Sequence, residues 1–584
     1  MFRKNKKHQQ SSLFDSQFLL PPKMRKQMKA SWAHTFYQEV FVRLPEEPFA
    51  VLYSEEDSRP NAPVNILIGA DILKAGFGWS DAELEENIHF DLLVRYALGM
   101  NNLNQEVPVL RTLYNFRRRV REYAQETGIN LYQETFNAIS DEQLTELELK
   151  TGWQRMDSTQ LLSNIAQMSR LGLVLSVLQK GVSVLPAAEN EKWNTDHERY
   201  LKPKPQNFCY RVKRDEVAGH LVQVGQLLLE LVAVLTQYQA SAEIIQLVER
   251  VVQDLYVIDD EKQVTMRPAD EIPGDVLQSP HDPEATYRKK GGKGHKGYVA
   301  NLSETCDPDN PVQLLTSVQL APNATDDGQL LADSLAEQSG RGITVKKITM
   351  DGGYTGDTGE TACRNHTVQM LPTRIRGRRT ASDRWGWEEY TWLLDDDDLP
   401  RMVVCPQGQA ANLEAGRKGD WLLARFDRTA CADCLFYQQQ CRVKPNKRKP
   451  PTLFVSPRWI QVALLRQGMS AANNALRAGV ESMVRSFKHV FPAGKLPVRG
   501  VIRSLMVACC SALMVNCRRV HQYRQQQRQP IRERVAFAMV AERRGLISYT
   551  FLGLWAKMRH FVSHSWAKVL AGPYPAYLQR FIFA

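Results

Sequence analysis

The chain has 584 residues, 43% of them apolar and 24% charged, with a formal net charge of +11 and a pI near 9.0. This is the composition of a soluble globular protein long enough for several domains. The longest apolar run, Ser504 to Val515, covers 12 residues and is too short to cross a bilayer, which excludes a membrane-spanning chain on composition. The basic N-terminus lacks a continuous apolar stretch, so no secretory signal is read there and a cytoplasmic location is expected. Disulfides are rare in that compartment, and the ten cysteines need another use.

Charge is unevenly spread. Residues 1–30 carry eight Lys and Arg against Asp15 alone, and residues 485–560 carry fifteen against Glu533 and Glu542. Two basic ends around a balanced middle predict a polyanionic partner, with nucleic acid as the default.

In chain order, residues 1–30 read as a flexible basic arm and residues 31–125 as a helical domain. Ser80-Asp-Ala-Glu83 is a capping box, followed by Leu84, Ile88, Leu92 and Tyr96 at helical spacing. The Asn-rich segment Met100–Gln105 is a break. A helix with Leu110, Leu113 and Phe116 then ends in Arg117, Arg118, Arg119 and Arg121, a pattern suited to a helix laid on phosphates, so Arg117 and Arg118 are candidate DNA contacts. Gly152–Asp157 reads as a strand. Residues 165–275 are largely helical, too long for a connection, and are expected to fold as a helical insertion. Strand patterns return at 297–302, 312–320 and 343–350. Residues 370–460 look irregular, with Trp385, Trp387 and Trp392, an acid run Asp395–Asp398, and cysteines. Helices follow from Ser470 and from Val501, and 526–584 is a basic, aromatic tail without assignment.

Three acids stand out by context. Asp157 and Asp351 each end a strand-like segment, where a carboxylate can reach a metal at a sheet edge. Glu481 lies on a helix whose Leu476, Val480, Met483 and Phe487 form one stripe, with Arg477, Glu481 and Lys488 on another about 100° away. Carboxylates that hold Mg²⁺ (or Mn²⁺), flanked by cations that hold phosphates, are what phosphodiester chemistry requires. Lys296, in a glycine-flanked basic stretch from Lys289, is a further phosphate candidate. Cys405, Cys431, Cys434 and Cys441 fall within 37 positions, one pair as C-x2-C, and fit a structural Zn²⁺ site of four thiolates. Arg417, Lys418, Arg442, Lys444, Lys447, Arg448 and Lys449 surround them.

The segment Asn474-x2-Arg477-x3-Glu481-x6-Lys488 resembles the Tyr-x2-Arg-x3-Glu-x6-Lys signature of DDE transposases from bacterial insertion sequences, with Asn474 at the Tyr position. Arg155-Met-Asp157-Ser-Thr159 with Asn164, and Met350-Asp351-Gly-Gly-Tyr354, are similar to that family's first two acid blocks. Asp282-Pro-Glu-Ala285, Lys296-Gly-Tyr298 and Lys495-x3-Arg499-Gly500 add to the likeness, which spans roughly residues 20–525. The resemblance implies an α/β, RNase H-like mixed sheet with flanking helices over 150–525, interrupted by the 165–275 and 370–460 insertions. It further implies Asp157, Asp351 and Glu481 as catalytic metal ligands, and Arg477 and Lys488 on phosphates. Its expected activity is cleavage of double-stranded DNA at terminal inverted repeats and strand transfer into target DNA, by at least a homodimer at synapsis in the bacterial cytoplasm. Two other readings stand beside it: a non-catalytic, domesticated DNA-binding protein, and an RNase H-like nuclease that cuts without joining.

Overall fold

The computed structural model describes residues 1–10, 15–56, 60–374, 384–395, 399–416, 421–437, 440–444, 450–467 and 473–528. Asp396–Asp398, Arg417, Lys418, Lys447–Lys449 and the tail from 529 lie outside the described residues. The chain is mixed α/β. Its strands are β1 (Trp153–Leu162), β2 (Tyr256–Ile258), β3 (Val264–Met266), β4 (Thr286–Lys290), β5 (Lys293–Thr305), β6 (Leu315–Pro322), β7 (Lys347–Asp351), β8 (Gln369–Arg374), β9 (Thr391–Leu394), β10 (Pro400–Val404), β11 (Ala410–Ala415), β12 (Leu422–Arg425) and β13 (Thr452–Val455).

The main sheet runs β6-β5-β1-β7-β8, and β4 extends the free end of β5. β5 is antiparallel to β1, β4 and β6, whereas β7 and β8 run parallel to β1. Both faces are covered, and the central strands bury polar as well as apolar side chains, among them Gln154, Ser158, Asn301 and Glu304. Met156, Ile348 and Met350 pack on one face against Leu331, Leu335 and Tyr354. Leu161, Tyr298, Ala300 and Leu302 pack on the other with Met483, Phe487 and the helix Val501–Arg528. On that second face the fully buried Glu304 of β5 accepts hydrogen bonds from Arg155 of β1 and from Arg519 of the long helix. One carboxylate thereby neutralises two cations and ties three elements together.

The N-terminal helices share this core. Phe36, Ile68, Leu113 and Phe136 belong to the same buried cluster as Leu161 and Leu302, so the expected boundary near residue 125 does not divide the core. Helical structure continues through Leu131–Glu146. The Ser80 capping box forms with both of its hydrogen bonds, but the pattern after it is two helices: Asp91 ends Asp81–Phe90 and caps Leu92–Ala97. Residues 1–30 are not a loose arm where they are described. Asn5 is buried and bonded to Glu46 and Asn65, and Met28 is buried on the helix Pro22–Ala30. Charge counting missed these anchors because a few buried side chains suffice to dock a basic segment.

The stretch after β1 forms the expected insertion. Helices Arg170–Val182, Val217–Gln237 and Ala242–Leu255 close around their own core of Val174, Leu178, Leu228, Leu231, Val248 and Val251. By contrast, the region expected to be irregular contains an antiparallel sheet, β9-β10-β11-β12-β13. Its strands have four to six residues each, too short for their alternation to stand out from the intervening turns. Tyr390 and Trp392 are buried in its core and Trp385 and Trp387 pack against it. Among the described residues two helices, Val217–Gln237 and Val501–Arg528, are long and apolar enough to cross a membrane. The second one's apolar window is 67% buried in the fold, and its 12-residue apolar run is the middle of a 28-residue core helix.

Replacing Glu304 by Ala leaves Arg155 and Arg519 without their shared counter-charge. The expected cost is about 3 kcal/mol, read as a lower urea midpoint, with Glu304→Gln intermediate.

Candidate active site

The site follows from strand register. β1 and β7 are parallel with Met156 opposite Met350, so one step further on Asp157 and Asp351 stand side by side where β7 ends; β1 runs on to Leu162, past the strand end expected at Asp157, because Ser158–Leu162 stay paired with β5. Each carboxylate accepts a backbone hydrogen bond from the next residue, Ser158 N–H or Gly352 N–H, at 2.8 Å. Burial pushes the Asp157 carboxyl up to about 6. Lys290 and the Ser158 N–H oppose that rise, while the charges of Asp351 and Asp327 add to it. A desolvated carboxylate among other carboxylates is a place that favours a cation.

Asp327 was not singled out from the sequence. It opens the helix Asp327–Gly340, is buried, pairs with Arg288 at 3.2 Å and accepts from Ser158 Oγ at 3.3 Å. The Asp326-Asp327-Gly328 helix start was legible, but nothing in it revealed that the helix begins beside β1.

Glu481 is placed differently. It lies on the helix Asn473–Lys488, two-thirds exposed, and accepts from Arg477 Nε at 3.1 Å. The structure brings Asp157, Asp351 and Asp327 within mutual electrostatic reach and leaves Glu481 paired to Arg477. Among the described residues no three Asp, Glu, His or Cys are already gathered closely enough to hold a metal ion.

The expected phosphate contacts divide. Arg117 is committed inside the protein: Asp71 and Asp81 both bind its guanidinium, and Asp71 also accepts from Tyr132 Oη at 2.6 Å. Burial works against the charge of Arg117, but the two carboxylates outweigh it and hold its pKa above the ordinary value. Arg117 is therefore a structural cation, because its counter-charges come from the preceding helices. Arg118 faces solvent, 55% exposed, beside Glu122 at 2.9 Å. Lys296 is half-buried and donates to the Met168 carbonyl at 3.3 Å. Lys488 donates to the Gln160 carbonyl of β1 at 2.9 Å, and burial, with Lys290 nearby, lowers its pKa. The β4–β5 hairpin turns through Gly291 and Gly292, both at positive φ, and carries Lys290, Lys293 and His295 toward Lys488 and Asp157. A basic rim thus stands beside the acid pair.

Several sequence blocks meet in the loop after β1. Ser163 Oγ and Tyr298 Oη both donate to the buried Asp282. Glu284 accepts from Val501 N at the start of the long helix, Arg499 donates to the Asn164 carbonyl, and Leu496 N–H donates to Leu162. These contacts fix the end of β1.

Cys405, Cys431, Cys434 and Cys441 line one cleft of ≈ 260 Å³ beside Phe426 and Tyr437. Burial, reinforced by Cys441, Cys405 and Cys434, pushes the Cys431 thiol up to about 11. Arg442 lies over the Trp387 ring at 4.5 Å and donates to the Trp385 carbonyl, so it braces the second sheet. Lys444 lies near the Phe454 ring at 5.7 Å. Cys509, Cys510 and Cys517 are buried on the long helix as packing residues.

Residues 27–119 match the family model described as Transposase domain (DUF772). The match covers the helices from Pro22–Ala30 to most of Leu110–Thr127. It supports a transposase in general terms, and with it DNA as the class of partner. Comparison with curated proteins gives no match.

The Asp157 environment predicts a pH effect in metal-free protein. Between pH 3.8 and about 6 the folded chain binds a proton at Asp157 that the unfolded chain releases. Stability from this residue therefore falls as pH rises through that window and stays reduced above it. In EDTA, Asp157→Asn is expected to raise the melting temperature at about pH 7.5 and to give no gain at about pH 4. An equal gain at both pH values contradicts this assignment.

Proposed function

We propose that this chain is a DDE transposase that cleaves the ends of an insertion sequence in double-stranded DNA and joins the freed 3′-OH to target DNA. The observation that carries the reading is the pair Asp157 and Asp351, abreast on parallel strands, with burial and the charge of Asp351 both disfavouring ionisation of Asp157. The strand order β6-β5-β1-β7-β8, three antiparallel strands followed by two parallel ones, supports an RNase H-like catalytic unit. The match of 27–119 to a transposase domain model supports a transposase in general.

The donor set fits a hard divalent cation: Asp157 and Asp351 would hold Mg²⁺ or Mn²⁺, with Glu481 as the third ligand. When bound, the metal supplies charge neutralisation on the scissile phosphate and an activated attacking oxygen. Glu481 leaves Arg477 at small cost, since an exposed pair of this kind is worth about 0–1 kcal/mol. Arg477 then becomes available to a DNA phosphate. Lys290 and Lys293 on the hairpin hold the backbone beside the acids, and Arg118 adds a contact from the N-terminal helices. Pairing two DNA ends calls for at least a homodimer during reaction. Cys405, Cys431, Cys434 and Cys441 would be the ligands of a structural Zn²⁺, which would draw the loops of the second sheet together.

Incubation with Mg²⁺ and labelled duplex carrying the element's ends tests the enzyme. Wild type is expected to give nicked and joined products, and Asp157→Asn, Asp351→Asn and Glu481→Gln each to lose at least about 100-fold in rate with DNA binding retained. Wild type that neither nicks nor joins rules out the enzyme, and nicking without joining favours the nuclease. A Glu481→Gln protein of full activity removes Glu481 from the site.

Metal analysis tests the second site separately. Purified protein is expected to carry about one zinc per chain, lost in Cys434→Ser with release of reactive thiols. Zinc content unchanged by that substitution refutes the assignment.

A further inference from the structure

The helical insertion after β1 is polarised in charge. Residues 199–214 carry six Lys and Arg and no acid. The rest of the insertion, 183–197 and 217–262, carries ten carboxylates against Lys192, Arg250 and Lys262. Packing does not call for this separation, since the core of the insertion, with Val174, Leu228 and Val248, is apolar. A surface divided in this way steers one side toward a polyanion and turns the other away from it.

Two of the six cations are used within the chain. Lys202 pairs with Glu198, and Arg199 lies over the Tyr200 ring at 5.8 Å with its guanidinium 3.3 Å from His220 Nε2. Lys204, Arg211, Lys213 and Arg214 are exposed, and among the described residues their side chains take no hydrogen bond or ion pair. Asp215 and Glu216 close the segment, and Glu216 accepts from Lys213 N–H at 3.1 Å. Tyr210 is 92% exposed, while Phe208 supplies the buried ring of the same short helix, Pro205–Arg211. The phenol of Tyr210 therefore serves no packing role and keeps its hydroxyl as a donor.

Contacts seat this segment at the end of β1. Ser163 N–H, one residue past the strand, donates to the Lys296 carbonyl at 3.0 Å, and Lys296 Nζ donates to the Met168 carbonyl at 3.3 Å. The next residue, Ser169, caps the helix Arg170–Val182, and its Oγ donates to Cys209 Sγ at 3.7 Å. Cys209 immediately precedes Tyr210 and Arg211, and Arg170 beside Ser169 is exposed. From Asp157 to Leu162, β1 rises about 16.5 Å, about five base-pair steps at about 3.4 Å each. The helix Pro205–Arg211 adds about 10.5 Å, about three phosphates along one strand. The free cations thus lie beyond the acids, at a distance that a duplex engaged at Asp157 and Asp351 still reaches.

We propose that the segment 199–214, with Arg170, is a DNA-backbone surface that holds the duplex away from the cut, while Lys290 and Lys293 hold it beside the acids. This rests on the reading of the chain as a transposase acting on double-stranded DNA. Lys204, Arg211, Lys213 and Arg214 bind phosphates, and the Tyr210 hydroxyl donates to a phosphate oxygen. Such contacts read no base sequence, so the surface adds affinity and orientation and does not select the site.

The test uses the full chain and a labelled duplex carrying the element's ends, with affinity measured across a salt series and nicking followed in Mg²⁺. The triple variant Arg211→Gln/Lys213→Gln/Arg214→Gln is expected to bind about 30-fold more weakly at about 0.1 M salt, to flatten the slope of log K against log salt by about 2–3, and to lose nicking through KM. Tyr210→Phe is expected to weaken binding about 3-fold with the slope unchanged, because it removes a donor and no charge. Lys192→Gln/Lys262→Gln, which takes two charges from the acidic side of the insertion, should bind as wild type does. Wild-type affinity and slope in the triple variant, or an equal loss per charge in the Lys192→Gln/Lys262→Gln protein, overturns the inference. If the triple variant does not keep the wild-type melting temperature, Lys204→Gln/Arg211→Gln decides, and an unchanged slope there overturns it. Wild type that does not bind the duplex sinks the transposase reading together with the surface. Wild type that binds and nicks, while the triple variant keeps its affinity, sinks the surface alone.

Discussion

The register between β1 and β7 is the constraint on which the acid site depends. Because the strands are parallel and Met156 faces Met350, Asp157 and Asp351 are neighbours where β7 leaves the sheet and β1 continues along β5. A slip of one residue would send one carboxylate to the opposite face, among Leu331, Leu335 and Tyr354. That apolar layer holds the register by burying Met156, Ile348 and Met350 on one side. Burial, with the charges of Asp351 and Asp327 adding to it, raises the affinity of Asp157 for a proton. A carboxyl perturbed in this way by burial and neighbouring carboxylates is a common mark of a functional site.

Around this pair the protein builds rigidity from buried charge. Glu304 joins β1, β5 and the long C-terminal helix through Arg155 and Arg519. Asp71 does the same work among the N-terminal helices through Arg117 and Tyr132. The loop that leaves β1 is held by Asp282, Glu284, Arg499 and Leu496. Residues that look chemical in a linear reading are here mostly scaffold, and the chemistry is left to a few groups at the sheet edge.

The second core, in the helical insertion, and the third, in the antiparallel sheet with its cysteines, stand apart from this network. Each closes around its own apolar side chains. The N-terminal helices do not, since they complete the main core against the sheet and the long helix. The segment 27–119, which matches the transposase domain model, is thus packed against the main sheet through a shared core.

Much of this was legible in the residues themselves. Helical periodicity gave the N-terminal helices, the insertion and the helix of Glu481. The Ser80 capping box formed as read, and the strand ending in Asp351 did too, whereas Asp157 lies within β1, which continues to Leu162. These features are local, fixed by side-chain spacing and backbone preference within a few residues. What only the tertiary structure decided was partnership. Arg117, Lys296 and Lys488 are cations in any reading, but whether a cation faces DNA or its own chain depends on elements far away in sequence: the carboxylates of Asp71 and Asp81 for Arg117, the carbonyls of Met168 and Gln160 for the two lysines. Asp327 joined the acids for the same reason, its helix being laid beside β1 by packing that no local pattern encodes. A single sequence records how each segment can fold and what charge it carries; desolvation and counter-charge are properties of the neighbours, which exist only after the chain has closed on itself.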